Sequence, residues 1–185
     1  QVTRTELAAP ELEEEAVRFF EALQQAAAAG LKAAEVDYGG VALTVGLPPL
    51  GEGDRGMVYP LKAFGTPLQG ATGPLCVKVA KQQPICRERL LEESMTTEFF
   101  LSEGVAVPRI HHMDPLGRFS VKDFIEGESI TSLYLRFTSL TLPTQRLILE
   151  TLETFITRLL ELFRKRPDCK VSISPNNIYV LTEKG

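Results

Sequence analysis

The stretch "LGEGDRGMVY", Leu50 to Tyr59, decides how the rest of the chain is read. Gly51, Gly53 and Gly56 follow the spacing G-x-G-x-x-G, and Val58 stands two residues after the last. Glycines at this spacing let a backbone fold close over a phosphate, but they also build ordinary tight turns. The flanks discriminate. "VALTVGL" before the glycines and "MVYPLKAF" after them are short, β-branched and bounded by Gly and Pro, so both read as strands.

Two flanking strands make the glycines a hairpin. A dinucleotide-binding turn needs a helix to open at the glycines, and none is expected here. A glycine hairpin can instead lie over phosphates as a lid. The next strand, "PLCVKVAK", carries Lys78 between Val77 and Val79, so the lysine projects from the face opposite the two valines. A strand lysine beneath a glycine lid reaches α- and β-phosphate oxygens. Lys81, near the end of the same strand, is expected to face solvent. A lysine in a cleft needs a counter-charge. The following helix, "QPICRERLLEESMTTEFFLSEG", offers Glu92, Glu93 and Glu98.

Outward from this centre the chain has a simple order. Residues 10–29 read as a helix opened by Pro10 and the acidic residues Glu11, Glu13, Glu14 and Glu15, which suit the positive end of the helix dipole. Its apolar stripe is Leu12, Ala16, Phe19, Phe20, Leu23 and Ala27. It serves either packing or partner binding. "VPRIHHMDPLGRFSVKDFIEG" reads as two strands joined at Pro115-Leu116-Gly117. "SITSLYLRF" reads as a short helix. The stretch after it, "LPTQRLILETLETFITRLLELFRKR", reads as a long one with Ile148, Leu152, Phe155, Ile156, Leu159 and Phe163 on one face. A loop and a short strand close the chain.

Composition narrows the classes. The chain has 185 residues, is 44% hydrophobic and carries a net charge of -4. That balance speaks against a general nucleic-acid or anionic-membrane binder. No apolar run approaches the roughly 20 residues needed to span a bilayer, and no secretory signal pattern opens the chain. Three cysteines, Cys76, Cys86 and Cys169, lack metal-ligand spacing and point to reduced thiols in a cytosolic setting. The two histidines, His111 and His112, are adjacent, so their side chains should point apart. The chain opens with Gln, which points to a processed, cut or incompletely given N-terminus.

In order along the chain, "LGEGDRGMVY", "CVKVAK", a Glu-bearing helix, "VKDFIEGESI" and "SISPNNIYV" resemble the protein-kinase-like superfamily, over roughly residues 43–185. "GVAVPRI" is similar to its small-molecule branch, the aminoglycoside and choline phosphotransferases, although the longer glycine motif sides with protein kinases. The resemblance implies an α+β, two-lobed fold with ATP in the cleft. It divides the chain into an N-terminal helical extension (1–35), a β-rich N-lobe with one helix (36–123), and a hinge with the start of a helical C-lobe (124–185), a lobe incomplete in the residues given. Gly51, Gly53, Gly56 and Val58 would cover the nucleotide. Lys78 would hold its phosphates and pair with Glu93, which precedes "GVAVP" by the family's spacing. Asp123, Phe124 and Ile125 would be the hinge that meets the adenine. Asn177 would be the metal-binding asparagine, and whether magnesium is held is left open.

The resemblance also has departures. Aligning Pro175 and Asn177 with the family's catalytic loop puts Ser172 at the position of the catalytic aspartate, and a hydroxyl cannot replace that carboxylate. Asp168 lies four residues upstream, which suits a loop residue. No Asp follows position 168, so the metal-binding aspartate of a D-F-G element is expected beyond Gly185, after a further strand rich in Val, Ile or Leu. The resemblance therefore implies an ATP-binding pseudokinase of regulatory or scaffold role with a protein partner, cytoplasmic or delivered as a bacterial effector. The alternatives are an active atypical serine/threonine kinase using an acid elsewhere, and a non-enzymatic interaction module.

Overall fold

A computed structural model describes residues 9–167 and 179–180. The chain is α+β and divides into two compact units, Gln1–Phe124 and Ile125–Gly185.

The first unit opens with α1 (Ala9–Ala28), followed by β1 (Ala33–Tyr38), β2 (Val41–Gly46), β3 (Gly51–Glu52), β4 (Gly56–Phe64) and β5 (Leu75–Ala80). After these come α2 (Pro84–Ser102), β6 (Ile110–Met113) and β7 (Phe119–Asp123). The strands form one antiparallel sheet in the order β1-β2-β4-β5-β7-β6, with β3 paired to β4. Consecutive strands pair in β1–β2, β3–β4, β4–β5 and β6–β7. The helix α2 falls between β5 and β6, and β7 rather than β6 returns to lie beside β5.

The strand β1 went unread in the sequence, although its signal is present. Gly39 and Gly40, both at positive φ (67° and 71°), form the two-residue turn between "AAEVDY" and "VALTVG". Because β1 begins at Ala33, the expected boundary between residues 35 and 36 falls inside a strand. The helix expected as an extension packs on the sheet and shares its core.

That core lies on one sheet face. Phe19, Leu23 and Ala26 of α1 pack with Val36, Tyr38, Leu43, Val45, Tyr59, Val77, Val79, Phe119 and Val121. Leu12 and Ala16 continue the buried stripe. The steps 12, 16, 19, 23 and 26 keep to one face of a 3.6-residue helix. Ala27, expected in the stripe, is exposed, and Ala26 takes its place. Phe19 stacks on Tyr38 at 4.5 Å between centroids, and Tyr38 leans on Phe119. A side chain as buried as Phe19 contributes about 1.5–3 kcal/mol. The opposite sheet face meets α2, where Cys86 and Leu90 pack on Ala80 and Met113.

Of the expected acidic first turn, Glu11 lies there. Glu15 is spent differently. It accepts the Gly39 N–H at 2.8 Å and pairs with Arg118 at 2.6 Å, tying α1 to two hairpins.

The second unit holds β8 (Glu128–Ser129), α3 (Ile130–Leu135), a 3-10 turn (Phe137–Ser139), α4 (Leu142–Lys165) and β9 (Tyr179–Val180). The strand β9 pairs antiparallel with β8. Ser129 and Thr141 cap α3 and α4 through their hydroxyl oxygens. On α4 the buried residues are Ile148, Leu159 and Leu162. Ile156, expected on that face, is exposed, while the fully buried Leu162 was not anticipated. Among the described residues no helix is long and apolar enough to cross a membrane.

Candidate functional site

The glycine stretch forms a closed hairpin. Gly51 pairs with Val58 and Glu52 with Met57. The Leu50 N–H donates to Val58 O at 2.7 Å and the Gly53 N–H to Gly56 O at 2.9 Å, leaving Asp54 and Arg55 at the tip. The three glycines differ in what they require. A Cβ on Gly56 would stand 2.7 Å from Val79 O, so only glycine lets β4 run this close to β5. A Cβ on Gly51 would meet nothing within 4 Å, and one on Gly53 only Gly56 O at 3.9 Å. Two of the glycines therefore leave open space that the fold itself does not need.

The β4–β5–β7 register sets what lies beneath. Val58 stands opposite Lys78, and Lys78 opposite Ser120. Cys76 stands opposite Lys122, two residues along each strand. Directly opposed residues share a sheet face, as do residues two apart. Val58, Cys76, Lys78, Ser120 and Lys122 therefore lie on one face, and Val77, Val79 and Val121 on the other, in the core. Gly56 is close by, its Cβ position 3.7 Å from Lys78 Cε.

Glu93 comes to this face from α2. It pairs with Lys78 through Oε2 and with Lys122 through Oε1, the latter at 3.0 Å. Burial alone would raise the Glu93 pKa, but the ammonium groups of Lys122 and Lys78 outweigh it and hold the carboxyl below its usual range. The competing glutamates are placed elsewhere. Glu92 pairs with Arg89 on the exposed helix surface, and Glu98 is exposed. That pair lies within α2, three residues apart, and contributes about 0.2–1 kcal/mol without touching the sheet. Lys81 follows β5 and is not a bare surface charge. It pairs with Glu52 of the glycine hairpin at 2.8 Å, and its N–H donates to Arg55 O at 3.0 Å.

Two of the three expected hinge residues donate backbone hydrogen bonds within the first unit. The Asp123 N–H donates to Arg109 O at 3.0 Å, and the Phe124 N–H to Pro74 O at 2.9 Å. Both N–H groups are thus spent within the first unit. The Asp123 carboxylate takes the Arg109 N–H on Oδ2 and His111 Nε2 on Oδ1 at 2.6 Å. His112 turns the other way, stacking on Phe119 and lying against Phe64, and its burial lowers its pKa. The adjacent histidines thus part as alternation requires. The buried Cys76 and Cys86 are free thiols, and burial raises that of Cys76.

Lys122 was missed in the sequence. Its signal is alternation: in "FSVKD" it falls on the face opposite Val121. That this is also the face of Lys78 depends on the pairing of β5 with β7, strands 42 residues apart in the Lys78–Ser120 pair, and short-range pattern does not contain it. Ser172, Asp168, Pro175 and Asn177, with Cys169, lie outside the described residues.

No protein-family model, curated protein or solved structure matches the chain.

Proposed function

We propose that the chain is a protein-kinase-like domain that binds ATP, and that Ser172 makes it a pseudokinase of regulatory or scaffold role. The carrying observation is the Lys78–Glu93 ion pair beside the glycine hairpin. In protein kinases a glycine-rich loop covers the phosphates, a lysine two strands later holds them, and a glutamate of the next helix pairs with that lysine. Here the hairpin joins β3 and β4, the lysine stands on β5, and the glutamate comes from α2. The arrangement can hold an ammonium still beneath a loop whose Gly51 and Gly53 leave room for phosphate oxygens. The two-lobed kinase-like architecture belongs to the same proposal. Its support is the order of elements, an antiparallel sheet with one inserted helix followed by helices. The regulatory role rests on Ser172, which cannot accept a substrate proton as an aspartate does.

The test is thermal unfolding of the protein against rising ATP, with and without magnesium, beside Lys78→Met. A ligand that binds only the folded state at a hundred times its Kd adds about 2.7 kcal/mol of stability. A rise in melting temperature that Lys78→Met abolishes, without phosphate transfer to protein acceptors, is the expected result. Transfer that survives Ser172→Ala would replace the regulatory reading with an active kinase using another acid. No shift with any nucleotide would leave an interaction module instead.

A further inference from the structure

Glu93 is one carboxylate between two ammonium groups. Lys78 takes one oxygen and Lys122 the other, so the cluster holds two positive charges against one negative. The side chains are sheltered, with Lys122 19% and Lys78 26% exposed. The neighbouring acid does not balance them. Asp123, adjacent to Lys122, has one carboxylate oxygen on His111 and the other on the Arg109 N–H. On the same face, Ser120 and Cys76 supply no charge, and the Ser120 hydroxyl has no hydrogen-bond partner among the described residues. A sheltered, uncompensated ammonium is costly, and an anion reaching it offsets that cost. Two ammonium groups held by the two oxygens of one carboxylate are also close enough together to share a phosphate chain.

We propose that Lys122 is a second phosphate-binding residue, so that the site takes a polyphosphate tail between Lys78 and Lys122 with Glu93 as their shared counter-charge. This rests on the nucleotide-binding reading and extends it. The ligand class is a polyphosphate, whether the tail of a nucleoside triphosphate or an inorganic chain. Lys78 does not act alone. When it turns to a phosphate, Lys122 keeps Glu93 ionised and α2 seated on the sheet.

The experiment is calorimetric titration of the full chain with ATP, inorganic tripolyphosphate and adenosine, on the wild type and on Lys78→Met, Lys122→Met, Lys122→Arg and Glu93→Gln. Circular dichroism confirms that each variant folds. Losing one charged hydrogen bond weakens binding by about tenfold or more. Lys122→Met is expected to weaken ATP and tripolyphosphate by that factor and to leave adenosine unchanged. Lys122→Arg should restore most of the loss. Glu93→Gln frees both ammonium groups and should tighten tripolyphosphate, and combining it with Lys122→Met should remove part of that gain, which a merely structural Lys122 would not do. If Lys122→Met binds ATP within twofold of wild type while Lys78→Met does not bind it, Lys122 is not a phosphate ligand, and the nucleotide reading survives. Weaker tripolyphosphate binding by Glu93→Gln also counts against the shared counter-charge. If the wild type binds none of the three probes, both readings fall together.

Discussion

Arg118 and Asp114 close the β6–β7 turn with a two-pronged ion pair, Nε to Oδ2 at 2.9 Å and Nη2 to Oδ1 at 2.7 Å. Both residues are buried. Asp114 Oδ2 also accepts the N–H groups of Leu116 and Arg118, and the second guanidinium arm reaches Glu15 on α1. Arg118 is held well above its ordinary pKa because its hydrogen bonds to Asp114 and Glu15 outweigh the cost of its burial. Removing one partner of a buried pair strands the other charge and costs about 3–5 kcal/mol. Asp114→Ala should therefore lower stability by about 3 kcal/mol in urea unfolding. Glu15→Gln keeps a hydrogen-bonding side chain and should cost about 1 kcal/mol. Equal, small losses for the two variants would show that the pair does not organise the hairpin.

The Glu93 cluster predicts a pH dependence with a definite sign. The carboxyl titrates below its ordinary value of 4.5 in the folded protein because Lys122 and Lys78 outweigh its burial. A group with a depressed folded pKa contributes stability above its unfolded value and loses it as pH falls through the folded value. Unfolding in urea at a series of pH values should show wild-type stability level near neutrality and declining below about pH 4.5. In Glu93→Gln the decline should be shallower over that acid window, because the variant has no carboxyl there to protonate. Parallel wild-type and variant curves through the window would refute the assignment.

Much of the first unit was legible because its signals are local. Alternating β-branched runs gave β2, β4 and β5, a turn at Gly117 gave the β6–β7 hairpin, and Lys78 was placed on its face by Val77 and Val79. Glu93 is where the superfamily resemblance put it, against Lys78. What stayed hidden depends on long-range pairing. The opposition of Cys76 and Lys122 exists only once β7 lies beside β5. The clamp of Glu15 on Arg118 spans 103 residues. Ala26 and Leu162 are buried, and Ala27 and Ile156 are not, because the rotation of each helix about its own axis is set by what it packs against. The backbone donors of the expected hinge were hidden for another reason. Backbone donors look free in a sequence, and only the structure shows the Asp123 and Phe124 N–H groups taken by Arg109 and Pro74.

The three glycines of the hairpin separate folding from binding. None of them has positive φ, so an alanine is not strained by backbone conformation at any of the three. Space decides instead. At Gly56 the new methyl would lie 2.7 Å from Val79 O, inside the β4–β5 ladder, and backbone cannot move aside as a side-chain tip can. Gly56→Ala should cost about 1–3 kcal/mol, the usual range for forcing an extra methyl into a packed site. At Gly51 the methyl would stand in open space, so Gly51→Ala should unfold within about 0.5 kcal/mol of wild type, as surface substitutions usually do. The same methyl would occupy the room proposed for phosphate oxygens. Gly51→Ala should therefore weaken ATP binding while leaving the melting temperature of the unliganded protein unchanged. Gly56→Ala should lower that melting temperature whether or not nucleotide is present. If Gly51→Ala binds ATP like wild type, the hairpin is a turn of the sheet rather than a phosphate lid, and Lys78 would need another covering element.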